Sequence, residues 1–216
     1  MYLKKSMKEI LIVGAGGFGR ELLQWIKDIN RITPKWEIGG FLDDNLDALN
    51  DYEIDYPIVG TIQGYVPKEN EVLACAIANP NIKERVIHVL KQRGAEFTSV
   101  IHPTALVSDY AKLGEGIIMY PNSGINANAK MGDFVTLLSS GIGHDAVIGD
   151  YSTISSYCDI TGGVCLGERV FLGSHVTIVP QRRIGSDVYI GVGSVVMTNI
   201  KPGYHVMGNP AKKFDF

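Results

Sequence analysis

An aliphatic side chain returns at every sixth residue from Ile101 onward, and few architectures can use such a period. The series is Ile101, Val107, Leu113, Met119, Ile125, Met131, Leu137, Ile142, Ile148, Ile154, Ile160, Leu166, Leu172, Ile178, Ile184, Ile190 and Val196. One step in it, from Leu137 to Ile142, is five residues long. Those residue types make up roughly a quarter of an average chain, so chance would give the run about once in 10¹⁰ trials. Neither the helical period of 3.6 nor strand alternation produces it. A period of six belongs to a parallel β-helix, in which each hexad is one short strand and a turn.

The fold expected from Ile101 onward is therefore a triangular coil, three hexads to a turn. A single hexad buries almost nothing, whereas stacked coils bury a continuous aliphatic column. The residue four positions after the aliphatic one is usually small or β-branched, as at Ala105, Ala111, Ser123, Ala129, Ala146, Ser152, Cys158 and Val164. Small side chains suit places where three walls converge. Gly commonly follows the aliphatic residue, as at Gly114, Gly132, Gly149, Gly167, Gly173, Gly185 and Gly191, and is read as serving corner conformations. Arg182 falls in the small column, which implies a bent wall at Pro180 or a corner open to solvent.

The first hundred residues carry a different pattern. Ile10–Val13 reads as a buried strand, residues 20–30 as an amphipathic helix with Leu22, Leu23 and Ile26 on one face, and Trp36–Leu42 as a second strand. An apolar run from Val72 to Ala78 precedes a helix from about Asn81 to Arg93, then an apolar stretch from Phe97 to Ile101. Strand, glycine turn, helix, strand is a βαβ unit, which implies a small parallel sheet of Rossmann type. The expected organisation is an α/β nucleotide-binding domain over residues 1–99 and a β-helix over 100–216. Gly14-Ala15-Gly16-Gly17-Phe18-Gly19 places the GxGxxG fingerprint between strand and helix, where backbone N–H groups can approach a phosphate. Asp43 or Asp44, ending the second strand, is placed to accept from a ribose hydroxyl.

With 45% hydrophobic and 20% charged residues, the chain has the composition of a soluble globular protein. A net charge of −3 supplies no basic field for nucleic acid or an anionic membrane. No stretch approaches 18 uninterrupted apolar residues, so no membrane span is expected, and the basic N-terminus runs into a core strand rather than a signal peptide. Cys75, Cys158 and Cys165 are odd in number, which favours free thiols in a reducing cytoplasm.

His144-Asp145 comes directly after the five-residue step, as the third and fourth residues of the Ile142 hexad. That register turns His144 outward near a corner. A carboxylate bonded to one ring nitrogen fixes the tautomer and raises basicity at the other, which suits imidazole to general-base work near neutral pH. A solvated surface pair is the ordinary alternative. Of the remaining histidines, His88 falls on a helix, His102 at the domain junction, His175 in a coil turn and His205 near the C-terminus.

Five segments, taken together, resemble the sugar acyltransferases of the hexapeptide-repeat superfamily. They are Gly14–Gly19, Phe41-Leu42-Asp43-Asp44, Ile101-His102-Pro103-Thr104-Ala105, Ile142-Gly143-His144-Asp145, and Val206-Met207-Gly208-Asn209-Pro210-Ala211-Lys212. The chain is most similar to the sialic-acid O-acetyltransferase-like group, which includes bacterial N-acetyltransferases acting on nucleotide-linked 4-amino-4,6-dideoxy sugars. That resemblance implies a left-handed β-helix, a homotrimer, and direct acetyl transfer from acetyl-CoA without a metal. It implies His144 as general base and Asp145 as the residue that raises its basicity. It places the nucleotide-sugar on Gly16, Gly17, Phe18, Asp43 and Asp44. Acetyl-CoA would lie between subunits on Thr153, Gly162, Ser174 and Val192, with Lys212 and Lys213 near its phosphates. Relatives keep a six-residue spacing into the histidine hexad, so the shorter step is a departure that bears on the sugar pocket. An O-acetyltransferase, a trimeric nucleotide-sensing scaffold and a zinc carbonic anhydrase share the repeat. The last needs three convergent histidines, and His102, His144 and His175 lack the spacing for it.

Overall fold

The structure, a computed structural model, describes residues 7–214. Two compact units emerge: the residues up to Ile77 with Ile82–Thr98, and Ala78–Asn81 with Ser99 to the C-terminus. In the first unit β1 (Lys8–Val13), α1 (Gly17–Ile32), β2 (Trp36–Leu42), β3 (Ile58–Gly60), β4 (Glu71–Cys75) and α2 (Pro80–Gln92) follow one another. The strands form one parallel sheet in the order β3-β2-β1-β4. That is the start of the doubly wound order, in which strands buried on both faces read as continuous apolar runs. β4 fits this, since all five of its residues are buried. The helix α1 buries Leu22, Leu23, Ile26 and Ile29 as one stripe, which is the amphipathic face its sequence displays. The stretch from Phe97 to Ile101 is divided. Phe97 makes a single bridge to Leu73, while β5 (Val100–Ile101) pairs within the coil.

The second unit is a parallel β-helix. Two-residue strands run from β5 to β21 (Val195–Val196), and each up to β18 (Thr177–Ile178) pairs in parallel with the strand three further on. Three faces result. The first begins at β5, the second at β6 (Leu106–Val107) and the third at β7 (Lys112–Leu113). The hexad aliphatics point inward and merge with the small column into one core, from Ile117 and Met119 to Val196 and Val206. Burying each such side chain is worth about 1.5–3 kcal/mol, so stacking many short strands holds a coil whose individual ladders are weak. At the C-terminal end β22 (His205–Met207) extends the first face in parallel, and β23 (Lys212–Lys213) closes it antiparallel.

The glycines after the aliphatic residues serve a purpose other than the one their spacing suggests. None has positive φ. Their missing side chains instead let stacked coils approach: a Cβ at Gly149 would lie 2.4 Å from the Gly167 carbonyl carbon, and one at Gly173 would lie 2.7 Å from Val192 N. The left-handed corner conformations belong mainly to other residues, in three stacked columns. One contains Asn122, Ser139, Tyr157 and His175; another Asn128, Asp145 and Gln181; the third Phe134, Tyr151, Arg169 and Asp187. Side chains in these columns support one another along the coil axis. Phe134 stacks on Tyr151 with centroids 5.7 Å apart, and Arg169 reaches Asp187 at 2.8 Å.

The five-residue step is absorbed between β11 (Thr136–Leu137) and β12 (Gly141–Ile142). Ser140 occupies the small inward column, and its hydroxyl accepts from Cys158 N–H at 2.8 Å while lying 2.7 Å from the Ser155 carbonyl. Ser152, in a full-length hexad, makes the same pair of bonds to Val170 N–H and Gly167 O, so the short step keeps the usual inward hydrogen bonding. Beyond it, Gly141 and Ile142 resume the register of Gly124 and Ile125. Arg182 does not enter the core; its Nε donates to Pro180 O at 3.0 Å on the surface.

Candidate active site

In the first unit the segment Gly14–Gly19, which follows β1 and includes the first turn of α1, divides its glycines by function. Gly14 has φ +102°, and a Cβ on Gly19 would lie 2.0 Å from Gly14 O, so both are required by the chain itself. Gly16 and Gly17 have ordinary φ, and a Cβ on either would meet open space, apart from Arg20 at 4.0 Å from that of Gly17. Nothing inside the chain demands glycine there, and both are exposed. Gly16 is the N-cap of α1 and provides no side-chain cap, so the first-turn N–H groups face outward with Phe18 half-buried beside them. The geometry suits an external anion approaching the backbone. Asp43 holds the loop in place: its carboxylate accepts from Ala15 N–H at 2.8 Å and from Asn45 N–H at 2.9 Å. Asp44 accepts from Gln63 N–H at 3.0 Å. Arg20, which its sequence position does not single out, lies 3.6 Å above the Tyr52 ring.

In the second unit His144 and Asp145 follow β12 at the corner between the second and third faces. Asp145 takes the left-handed conformation, φ 59°, and its Oδ2 lies 2.7 Å from His144 Nδ1. The hydrogen bond from His144, followed by one from the Asn128 side chain, lowers the Asp145 carboxyl below its ordinary value. An anionic Asp145 can only accept, so Nδ1 carries a proton, and in the neutral ring the lone pair is on Nε2. Both side chains are largely exposed, His144 by 70%. The imidazole projects over the next coil, where a Cβ on Gly162 would lie 2.6 Å from Nε2. No acceptor among the described residues takes the Gly162 N–H, whereas Gly163 N–H donates to His144 O at 2.9 Å. A base with a free lone pair and a nearby unspent backbone donor is an arrangement suited to acyl transfer.

The expected cofactor positions do not form one cluster. Gly162 adjoins His144. Ser174 and the exposed Val192 lie at the other corner of the second face, on successive coils joined by the Gly193 N–H bond to Ser174 O. Lys212 and Lys213 are exposed in the closing strand β23. Thr153 is 1% exposed, as are Val100, Ile118 and Thr136 in the same row of the first face. Asn128 is the site residue missed from the sequence. It stacks one coil before Asp145 but only 17 residues away, because the short step intervenes. Among the described residues no three His, Cys, Asp or Glu side chains gather where one metal ion could be held.

Comparison with known proteins places this geometry in context. The PglD N-terminal domain profile matches residues 9–90. The chain is 32% identical over 215 residues to the GDP-perosamine N-acetyltransferase of Escherichia coli O157:H7, covering 94% of each. The acetyltransferase domain of PglB from Neisseria gonorrhoeae FA1090, solved with acetyl coenzyme A, superposes with a TM-score of 0.86 at 26% identity, covering 97% of this chain and all of that one. PerB from Caulobacter crescentus, solved with CoA and GDP-perosamine, gives a TM-score of 0.85 at 24% identity over 97% of this chain and 99% of that one, a likeness of fold. With the His–Asp corner and the coil in hand, the chain belongs to the hexapeptide-repeat acetyltransferases related to the GDP-perosamine, PglD and PglB type nucleotide-sugar N-acetyltransferases.

Proposed function

We propose that the protein transfers the acetyl group of acetyl-CoA to the 4-amino group of a nucleotide-linked amino-deoxy sugar, with His144 as general base. The observation that carries this reading is the His144–Asp145 pair at 2.7 Å, which directs Nδ1 to the carboxylate and leaves Nε2 as the ring nitrogen beside Gly162 that can act as the base. The sugar amine attacks the thioester carbonyl carbon, and Nε2 accepts the proton that nitrogen sheds. The C–S bond breaks and CoA departs as thiolate, which takes a proton from the imidazolium or water. The Gly162 N–H is available to the oxyanion formed in between. The nucleotide would lie on Gly16, Gly17 and Phe18, with Asp43 fixing the loop and Asp44 beside it. CoA would run past Gly162 towards Ser174, Val192 and Lys212.

A homotrimer with sites between subunits is part of the same reading. On the second face Leu106 is 76% exposed, and Gly124 and Gly141 pair in adjacent strands with nothing within 4 Å of a Cβ. Neither conformation nor internal packing calls for glycine at those two positions, which leaves the backbone open to a second copy. Division at residue 99 into a nucleotide-binding domain and a catalytic β-helix belongs to this reading too, as does a cytoplasmic location. Cys75, Cys158 and Cys165 are all unbonded thiols, and no described helix is long and apolar enough to cross a membrane.

The test is thiol release from acetyl-CoA with GDP-, UDP- and dTDP-linked 4-amino sugars, beginning with GDP-perosamine, alongside His144→Ala. Release with one amine, lost in the variant, is the expected result. Release only with hydroxyl sugars would replace the reading with O-acetyl transfer, and binding of acetyl-CoA without turnover would replace it with a scaffold.

A further inference from the structure

We propose that Asn128 is a positioning residue for the general base: from the preceding coil it holds the Asp145 carboxylate in the orientation that fixes the His144 ring. The inference rests on the acetyl-transfer reading for its kinetic consequence. Asn128 and Asp145 occupy the same corner column, both left-handed, at φ 61° and 59°. The Asp145 N–H donates to Ala127 O at 3.0 Å, which pins the two corners together through the backbone. The Asn128 side chain then hydrogen-bonds the carboxylate that His144 shares.

The need for such a residue follows from exposure. Asp145 is 58% exposed, and a surface ion pair between neighbours in sequence competes with water and with its own side-chain entropy. One hydrogen bond to Nδ1 does not hold an open carboxylate still. A second donor, carried on a rigid adjacent coil, removes the remaining rotation. The carboxylate then presents one oxygen to His144 as a fixed acceptor, and the Nδ1–H tautomer becomes the resting state. The five-residue step is complete before Gly141, where the register with Gly124 resumes, so the two corners stack although they are 17 residues apart.

Asparagine also favours left-handed backbone for its own sake, so the test has to separate backbone from side chain. Asn128→Gly keeps the conformation and removes the amide. Asn128→Asp keeps the shape and places a second carboxylate beside the first. With wild-type melting behaviour as the check on folding, Asn128→Gly should lower kcat on the order of 10-fold with little change in KM for acetyl-CoA, as expected when a base is misplaced rather than lost. Asn128→Asp should move the acid limb of the pH–rate profile upward, because added negative charge holds the imidazole proton to higher pH. Nitrogen-15 spectra of the histidine side chains, taken without substrate, should show the Nδ1–H form of His144 in the wild type and a tautomer mixture in Asn128→Gly. Wild-type kcat and an unchanged tautomer in Asn128→Gly would overturn the proposal. If the wild-type protein turns over no amino sugar, the acetyl-transfer reading fails while the tautomer measurement still decides the role of Asn128.

Discussion

Gly162 lies so close under the His144 imidazole that a methyl group on it would stand 2.6 Å from Nε2. Atoms that close cannot coexist, but the obstructed group is the far end of an exposed side chain, free to swing away. Gly162→Ala should therefore leave the coil intact and displace the base. Misplacing a catalytic group by an ångström can cost about 10²-fold, so kcat should fall by that order while the melting temperature and assembly stay as in the wild type. Steady-state kinetics beside a thermal melt would check this. Full activity in Gly162→Ala would mean that His144 works from another rotamer.

Ser140 ties the short step to the next coil. Its hydroxyl accepts from Cys158 N–H at 2.8 Å and lies 3.0 Å from Leu138 O and 2.7 Å from Ser155 O. Ser140→Ala leaves the Cys158 N–H, which is buried, without its acceptor. The cost of one such orphaned donor is about 1–3 kcal/mol. A chemical-denaturation midpoint should fall accordingly, and the loss should exceed that of Ser108→Ala, whose hydroxyl meets only an exposed N–H at 3.4 Å.

How much of this was open to inspection in the sequence depends on which atoms the repeat governs. The aliphatic residue of each hexad makes its contacts inside the prism, so its spacing reports the fold directly; the series from Ile101 to Val196 lies in or against the core as its period implies, except Val107 on the first coil, which is 40% exposed. Outward features follow no such rule. Thr153 looks like a surface residue by chemistry and position, yet it is buried. The glycines after the aliphatics were legible as special, but their reason is close approach of coils, a three-dimensional fact that φ preferences do not report. Asn128 was hidden by arithmetic: corners stacked on coils that do not span the short step are 18 residues apart, as Tyr157 and His175 are, and the missing residue sets this pair at 17. The His144–Asp145 pair was visible because both members are adjacent in the chain.

The buried Lys83 gives the stability of the protein a pH dependence in the alkaline direction. It is 1% exposed on α2, and burial lowers its ammonium to about 7, with the nearby Cys75 acting in the opposite sense. Between about pH 7 and the ordinary lysine value, the unfolded chain binds a proton that the folded chain does not. Stability therefore rises with pH through that window and levels off above it. Cys75, pushed up to about 11 by its own burial, stays neutral in the folded chain, whereas the unfolded thiol ionises from its ordinary value of 9.0; it therefore opposes the trend only at the alkaline end of that window. Melting temperatures at pH 7, 8 and 9 should climb in the wild type, with Lys83→Met, which removes the titrating group, showing a flatter series. Parallel slopes in the two proteins would assign the dependence to another group.

The bare stretch of the second face makes the last expectation, which concerns assembly. Glycine inside a strand is normally unfavourable, through lost entropy and lost packing, and persists where a second backbone comes close. Gly124 and Gly141 are paired strand residues with open space above them, next to Leu106 at 76% exposure. Gly124→Arg and Leu106→Asp each add a charge without colliding with the chain's own atoms, so the isolated coil has no reason to unfold. If this face meets a second copy, both variants should shift the mass measured by light scattering from trimer towards monomer. Their activity should fall with the assembly, because His144 is left open to water in a single chain. Retention of the wild-type mass by both variants would move the interface to another face, and a monomeric wild type that still turns over substrate would remove the shared site altogether.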